Sequence, residues 1–182
     1  MDDYCIISVV GSHAGENISD IFERKKEDIK KGNNSFWLFN SWQIKKDIVQ
    51  KLFLTTKDFI PVYFIEPISK NGCIPTKISQ RAVEFYLDND EKWYPIPFYM
   101  SKVTGNIKKN TLALCLNNLE LVNEQIFLNV YYDYEKGSPI KIGLGSSTVC
   151  AIRYLEKHTK ELIVRKVVAK GKLGYPGIVQ LR

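Results

Sequence analysis

The chain has 182 residues, 45% apolar and 12% aromatic, which is the length and composition of one globular domain spanning 1–182. A chain of this size buries roughly 70% of the surface it exposes when unfolded, so it needs neither disulfides nor a metal to hold a core. Its net charge of +6 comes from 26 basic and 20 acidic side chains, and with 25% charged residues the composition is that of an ordinary globular protein.

Tyr4 to Val10 is an apolar, β-branched run of strand length, too short for a signal peptide or a membrane span. With the acidic Met-Asp-Asp-Tyr start, it points to an intracellular protein, cytoplasmic or nuclear, without a membrane partner. The polar loop Gly11 to Asn17 follows. Ile18, Ile21, Phe22 and Ile29 then share one face of a helix over 18–31, with the charges on the other face and Gly32 as its stop. Ser35 to Phe39 is a second strand. Ile44, Ile48, Val49, Leu52 and Phe53 repeat at helical spacing, and Pro61 to Ile65 is a third strand. The β-α-β-α-β order predicts a partly parallel sheet.

Glu66 to Lys77 contains Pro67, Gly72 and Pro75 and reads as a long loop. Ser79 to Leu87 suits a short helix. Glu91 to Met100 is aromatic, and its two prolines argue against a central strand. Strands are expected at Thr111–Leu116 and Gln125–Tyr132, separated by turns at Asn117-Asn118 and Asn123. Two more are expected at Leu162–Ala169 and Ile178–Leu181, and Ser147–Lys157 suits helix or strand. The second half is thus mostly β, and the fold class is α+β.

Cys5, Cys115 and Cys150 each lie in an apolar or small-residue run, and Cys73 lies in a loop. No two are close enough in sequence for a metal knuckle or a redox pair, so reduced core or loop thiols are expected. No metal and no cofactor are expected either.

Four stretches carry candidate chemistry. The loop Gly11–Asn17 joins a strand to a helix start, where free N–H groups and the helix dipole attract an anion. Ser12 and Gly15, with Lys77 from the later loop, are the candidate anion contacts. His13 and Glu16, with Glu66, would be the general base and its partners in a small enzyme acting on a phosphate- or carboxylate-bearing substrate. In an open parallel sheet the loops after the first three strands would converge, bringing in Asn40 and Trp42. The alternative is a turn shaped by Gly11 and Gly15, with Asn17 or Ser12 capping the helix.

The second stretch is Pro139-Ile140-Lys141-Ile142-Gly143-Leu144-Gly145-Ser146-Ser147-Thr148. It resembles the phosphate loop of the kinase superfamily that includes galactokinase, homoserine kinase and mevalonate kinase. That resemblance implies a helix opening after the loop, with a nucleotide on its start. It covers ten residues, and only 34 residues follow Thr148. Gly143 and Gly145 also suit a strand bend or bulge.

The third stretch is cationic. Residues 141–182 hold nine Lys or Arg against Glu156 and Glu161, a net +7, while residues 1–140 carry −1. Arg165, Lys166, Lys170 and Lys172 would contact phosphates, and Tyr175 would stack a base. The competing reading is lysines that keep an exposed edge strand soluble. This charge segregation makes the leading expectation a non-catalytic binding module for nucleic acid or a nucleotide-like anion. The fourth stretch, Trp93 to Tyr99, would anchor a partner protein or pack a loop onto the core. The oligomeric state is not written in the sequence.

Overall fold

A computed structural model describes residues 4–10, 17–39, 45–56, 60–66, 81–100, 104–105, 111–140, 148–152 and 163–182, with the backbone alone for 81–82, 104–105 and 148–152. The fold is α+β. In chain order the elements are β1 (Tyr4–Val9), α1 (Ile18–Gly32), β2 (Ser35–Phe39), α2 (Lys46–Thr55) and β3 (Pro61–Ile65). The short strands β4 (Arg81–Ala82), β5 (Phe85–Leu87), β6 (Trp93–Pro95) and β7 (Thr104–Gly105) follow. The chain then forms β8 (Thr111–Phe127), a 3₁₀ turn at Leu128–Val130, β9 (Tyr131–Asp133), β10 (Thr148–Ile152) and β11 (Val164–Leu181).

One sheet runs β2-β8-β11-β3-β1-β10-β9, with the β5–β6 hairpin attached to β11. Among the described residues, only β1 and β3 pair in parallel. The first three strands fall where their apolar runs predict. They are not neighbours in sequence order, however, because β2 sits at the far edge against β8. Following the antiparallel pairs across the sheet, β2 runs opposite to β1 and β3. The carboxyl ends of β1 and β3 therefore share one end of the sheet, joined by Val10 N–H donating to the Ile65 carbonyl at 3.0 Å. The carboxyl end of β2 lies at the other.

Both helices cover one face. Phe22 of α1, with Val49 and Leu52 of α2, packs on Ile6, Phe64, Leu114, Leu116 and Leu173. Phe22 stacks on Trp37 at 5.3 Å and meets Phe64 edge-on at 5.4 Å. Each such side chain contributes about 1.5–3 kcal/mol by leaving water. The opposite face carries two apolar clusters. One, around Cys5, Ile7, Ile65, Ile126 and Val167, sits towards β9 and β10. The other, around Phe36, Ala113, Cys115, Val179 and Leu181, is roofed by Val83, Ile96 and Met100.

The charges of α1 are not all on its outer face. Lys25 and Asp28 are buried, one and two turns along from Phe22. The cause is β2, an edge strand with outward polar groups to satisfy. Lys25 Nζ donates to the Phe36 carbonyl at 2.5 Å, and Ser35 Oγ donates to Asp28 Oδ2 at 3.1 Å. At the end of α1, the left-handed residue is Asn33 (φ 65°), whose N–H donates to the Ile29 carbonyl. Gly32 is needed there for space: a Cβ on it would lie 2.0 Å from the Tyr99 ring.

Three expectations about the second half change. The segment Ser79–Leu87 is not helical where it is described. Arg81–Ala82 and Phe85–Leu87 are strands, because Phe85, Tyr86 and Leu87 pair across to Pro95, Tyr94 and Trp93. The expected turns at Asn117-Asn118 and Asn123 are instead irregularities within one strand, β8. The register with β11 skips Asn117 between Asn118 and Leu116, and skips 122–123 between Glu124 and Leu121. Turn-prone residues here mark β-bulges, where an extra residue bends the strand without ending it. Likewise the expected strands Leu162–Ala169, as far as it is described, and Ile178–Leu181 fall in one strand, β11 (Val164–Leu181), with Gly174–Gly177 as an excursion between the Leu173 and Ile178 pairings.

Candidate functional site

Ser12, His13, Gly15, Glu16 and Lys77 lie outside the described residues, as do Asn40 and Trp42. Glu66 is described, directly after β3. Its N–H donates to the Lys166 carbonyl at 3.1 Å and its carbonyl accepts from the Arg165 guanidinium. Its carboxylate pairs with Lys166 Nζ at 3.2 Å, both side chains half exposed. Glu66 is thus tied through backbone and side chain to β11.

The basic strand is sorted by the pleat and by its bulge. Arg165 points inward opposite Ile126 and is 7% exposed, and burial lowers its pKa from the usual guanidinium range. Lys166 projects to the helix-bearing face, next to Glu66. The bulge between Val167 and Ala169 reverses the alternation, and Lys170 and Lys172 project to the opposite face. Lys170 forms an ion pair with Glu124, which raises its pKa, and stands 5.9 Å from the Tyr63 ring centre. Glu120 faces it across the ladder. Lys172 is exposed opposite Asn118 and has no ion pair among the described residues.

Tyr175 stands on the Gly174–Gly177 excursion, 64% exposed. The loop is fixed from three sides. The Tyr175 carbonyl accepts from Cys115 Sγ at 3.2 Å, and Gly174 lies so close to Asn117 that a Cβ would meet its side chain at 2.6 Å. Gly177, at φ +83°, abuts Phe53 of α2. Tyr175 also lies within electrostatic reach of Tyr86, whose hydroxyl is pushed up first by burial and then by Asp88, Cys115, Asp90 and Tyr175. Tyr86 in turn packs on Tyr94 at 5.8 Å.

The aromatic segment is split between core and surface. Tyr99 is half buried and donates to Asn34, whereas Phe98 is 99% exposed. Tyr94 donates to Asp90, which pushes its own pKa up to about 12. Trp93 faces the other way, under the Arg182 guanidinium at 4.2 Å. Neither that cation–π contact nor the Glu66–Lys166 pair is legible in sequence, since the partners lie 89 and 100 positions apart.

Of the stretch that resembles a kinase phosphate loop, Pro139 bridges to Tyr132, Ile140 is buried, and 141–147 lie outside the described residues. Thr148 opens strand β10, not the helix that the resemblance implies. Among the described residues no group of three or more His, Cys, Asp or Glu could hold a metal ion, and no helix is long and apolar enough to cross a membrane. No protein-family model matches the chain, and neither a curated protein nor a solved structure matches it.

Proposed function

We propose that this chain is a non-catalytic, intracellular binding module for an anionic partner, nucleic acid or a nucleotide-like ligand, read at the Lys172–Tyr175 corner of β11. The observation that supports it is an exposed tyrosine, held on a fixed loop three residues from an exposed lysine that has no ion pair among the described residues. Aromatic stacking beside a cation is how sequence-tolerant single-strand binders hold a base and its phosphate. Lys166 and Lys170 are less suited to phosphate, since each already faces a carboxylate. Arg165 is less suited because it points inward.

The test is fluorescence anisotropy with labelled single-stranded DNA and RNA oligomers at two salt concentrations. Tyr175→Ala should lose about 1–3 kcal/mol, the usual worth of one stacked base. Lys172→Ala should flatten the salt dependence by about 0.7 in log–log slope, one phosphate's share for a single strand. No binding at low salt sinks the reading. A salt slope steeper than about −3, unaffected by Lys172→Ala, would instead assign the contacts to Lys141, Arg153, Lys157 and Lys160.

One observation favours a second reading, a protein–protein interaction module: Phe98 is 99% exposed on the aromatic segment. Loss of a protein contact on Phe98→Asp, with oligonucleotide affinity unchanged, would move the function there. The small-enzyme reading on His13, Glu16 and Glu66 would have to free Glu66 from its pair with Lys166.

A further inference from the structure

β1 and β10 pair antiparallel, and their register sets Cys5 directly opposite Cys150. The two residues are 145 positions apart in sequence, so only the fold brings them together. Directly opposed residues in an antiparallel pair share a face of the sheet, with Cα atoms about 4.5 or 5.5 Å apart depending on the hydrogen-bonding site. Both separations lie within the span of about 4.4–6.8 Å that a disulfide bridges without backbone movement. Cys5 is a free, buried thiol.

We propose that Cys5 and Cys150 form a reversible disulfide across the β1–β10 seam. In that step the two thiols release two protons and two electrons as the sulfur–sulfur bond forms. A small-molecule disulfide takes up both, its own bond breaking to give two thiols. The location suits reversibility. β10 stands one strand from the sheet's edge, covered there by the three-residue β9. Such a margin opens locally at less cost than the centre of the sheet, and opening admits the oxidant or reductant. The bridge then pins β10 to β1.

Cys115 serves as an internal control. It lies on the opposite side of β11 from β1 and β10, and burial pushes its thiol up to about 12, so it stays protonated and unreactive near neutral pH.

The experiment uses the full chain, reduced, then treated with diamide under native conditions and alkylated before digestion without reductant. Mass spectrometry should find one linked peptide pair, containing Cys5 and Cys150, with Cys115 alkylated only after denaturation. Oxidation should raise the unfolding midpoint by several degrees, dithiothreitol should reverse the rise, and Cys150→Ser should abolish it. The proposal is overturned if Cys5 and Cys150 are both recovered as alkylated thiols after prolonged oxidation. It is equally overturned if Cys5 links to another cysteine in comparable yield, or if the Cys150→Ser chain shows the same rise.

Discussion

Replacing Ser35 by Ala isolates one of the two polar contacts described between α1 and the edge strand β2. Ser35 and Asp28 are both fully buried, and the Ser35 hydroxyl donates to the Asp28 carboxylate at 3.1 Å. The substitution removes few atoms, so its cavity cost is small, but it deprives a carboxylate of a donor where water does not replace it. A hydrogen bond to a charged group contributes about 1.5–3 kcal/mol. For a chain of 182 residues, each kcal/mol shifts the melting temperature by about 2–4 °C, so a fall of about 3–12 °C is expected. Scanning calorimetry at pH 7 measures it, with Ser138→Ala, at an exposed site, as the silent comparison. A double-mutant cycle sharpens the result: in an Asp28→Ala background the Ser35 change should cost almost nothing further. A shift below 1 °C, or full additivity of the two costs, would refute the reasoning.

Gly177→Ala and Gly137→Ala should differ in urea denaturation. Both have positive φ, +83° and +60°, which costs an ordinary residue about 1–2 kcal/mol. A Cβ at 177 also meets the Phe53 ring carbon at 3.2 Å, whereas nothing lies within 4 Å at 137. Gly177→Ala should therefore be the more destabilising, and equal midpoints would remove the packing argument. Ultraviolet titration should find Tyr94 ionising at about 12, because its O–H donates to the Asp90 carboxylate and ionisation would set two negative charges together. Asp90→Asn should bring that titration back towards the ordinary tyrosine range; an unchanged titration refutes the assignment.

The first three strands and both helices were legible because each is a run of one period with polar punctuation on either side. Where sequence reading failed, the cause was long-range pairing. Asn117, Asn118 and Asn123 carry the local chemistry of turns, yet β11 supplies a continuous partner that keeps β8 extended through them. Tyr86 and Leu87 became a strand because Tyr94, Trp93 and the end of β11 lie beside them. The cationic tail was visible as composition, but not its sorting. One bulge at Val167/Ala169 sends Lys166 to one face and Lys170 to the other, and Glu66 and Glu124 come from distant segments to meet them. Of the cationic-strand candidates from sequence, Lys172 and Tyr175 are exposed, while Lys166 and Lys170 face carboxylates and Arg165 is buried. The Cys5–Cys150 opposition left no trace in spacing at all.

Among the described residues, β11 alone joins two otherwise separate pieces of sheet, β2-β8 on one side and β3-β1-β10-β9 on the other. Among the described strands of this sheet it also comes after all the others in chain order. Until it emerges, β8 and β3 both present open edges, and the apolar face of each half has no lateral partner. The chain therefore completes its sheet by inserting a central strand late, a non-local closure that folds slowly and exposes edges while it waits. Removing β11 would not trim this sheet but divide it. Lys172, one of the two residues proposed to bind the anion, pairs with Pro61 on one side and Asn118 on the other, so a chain cut before Val164 should lose its fold and any such binding together.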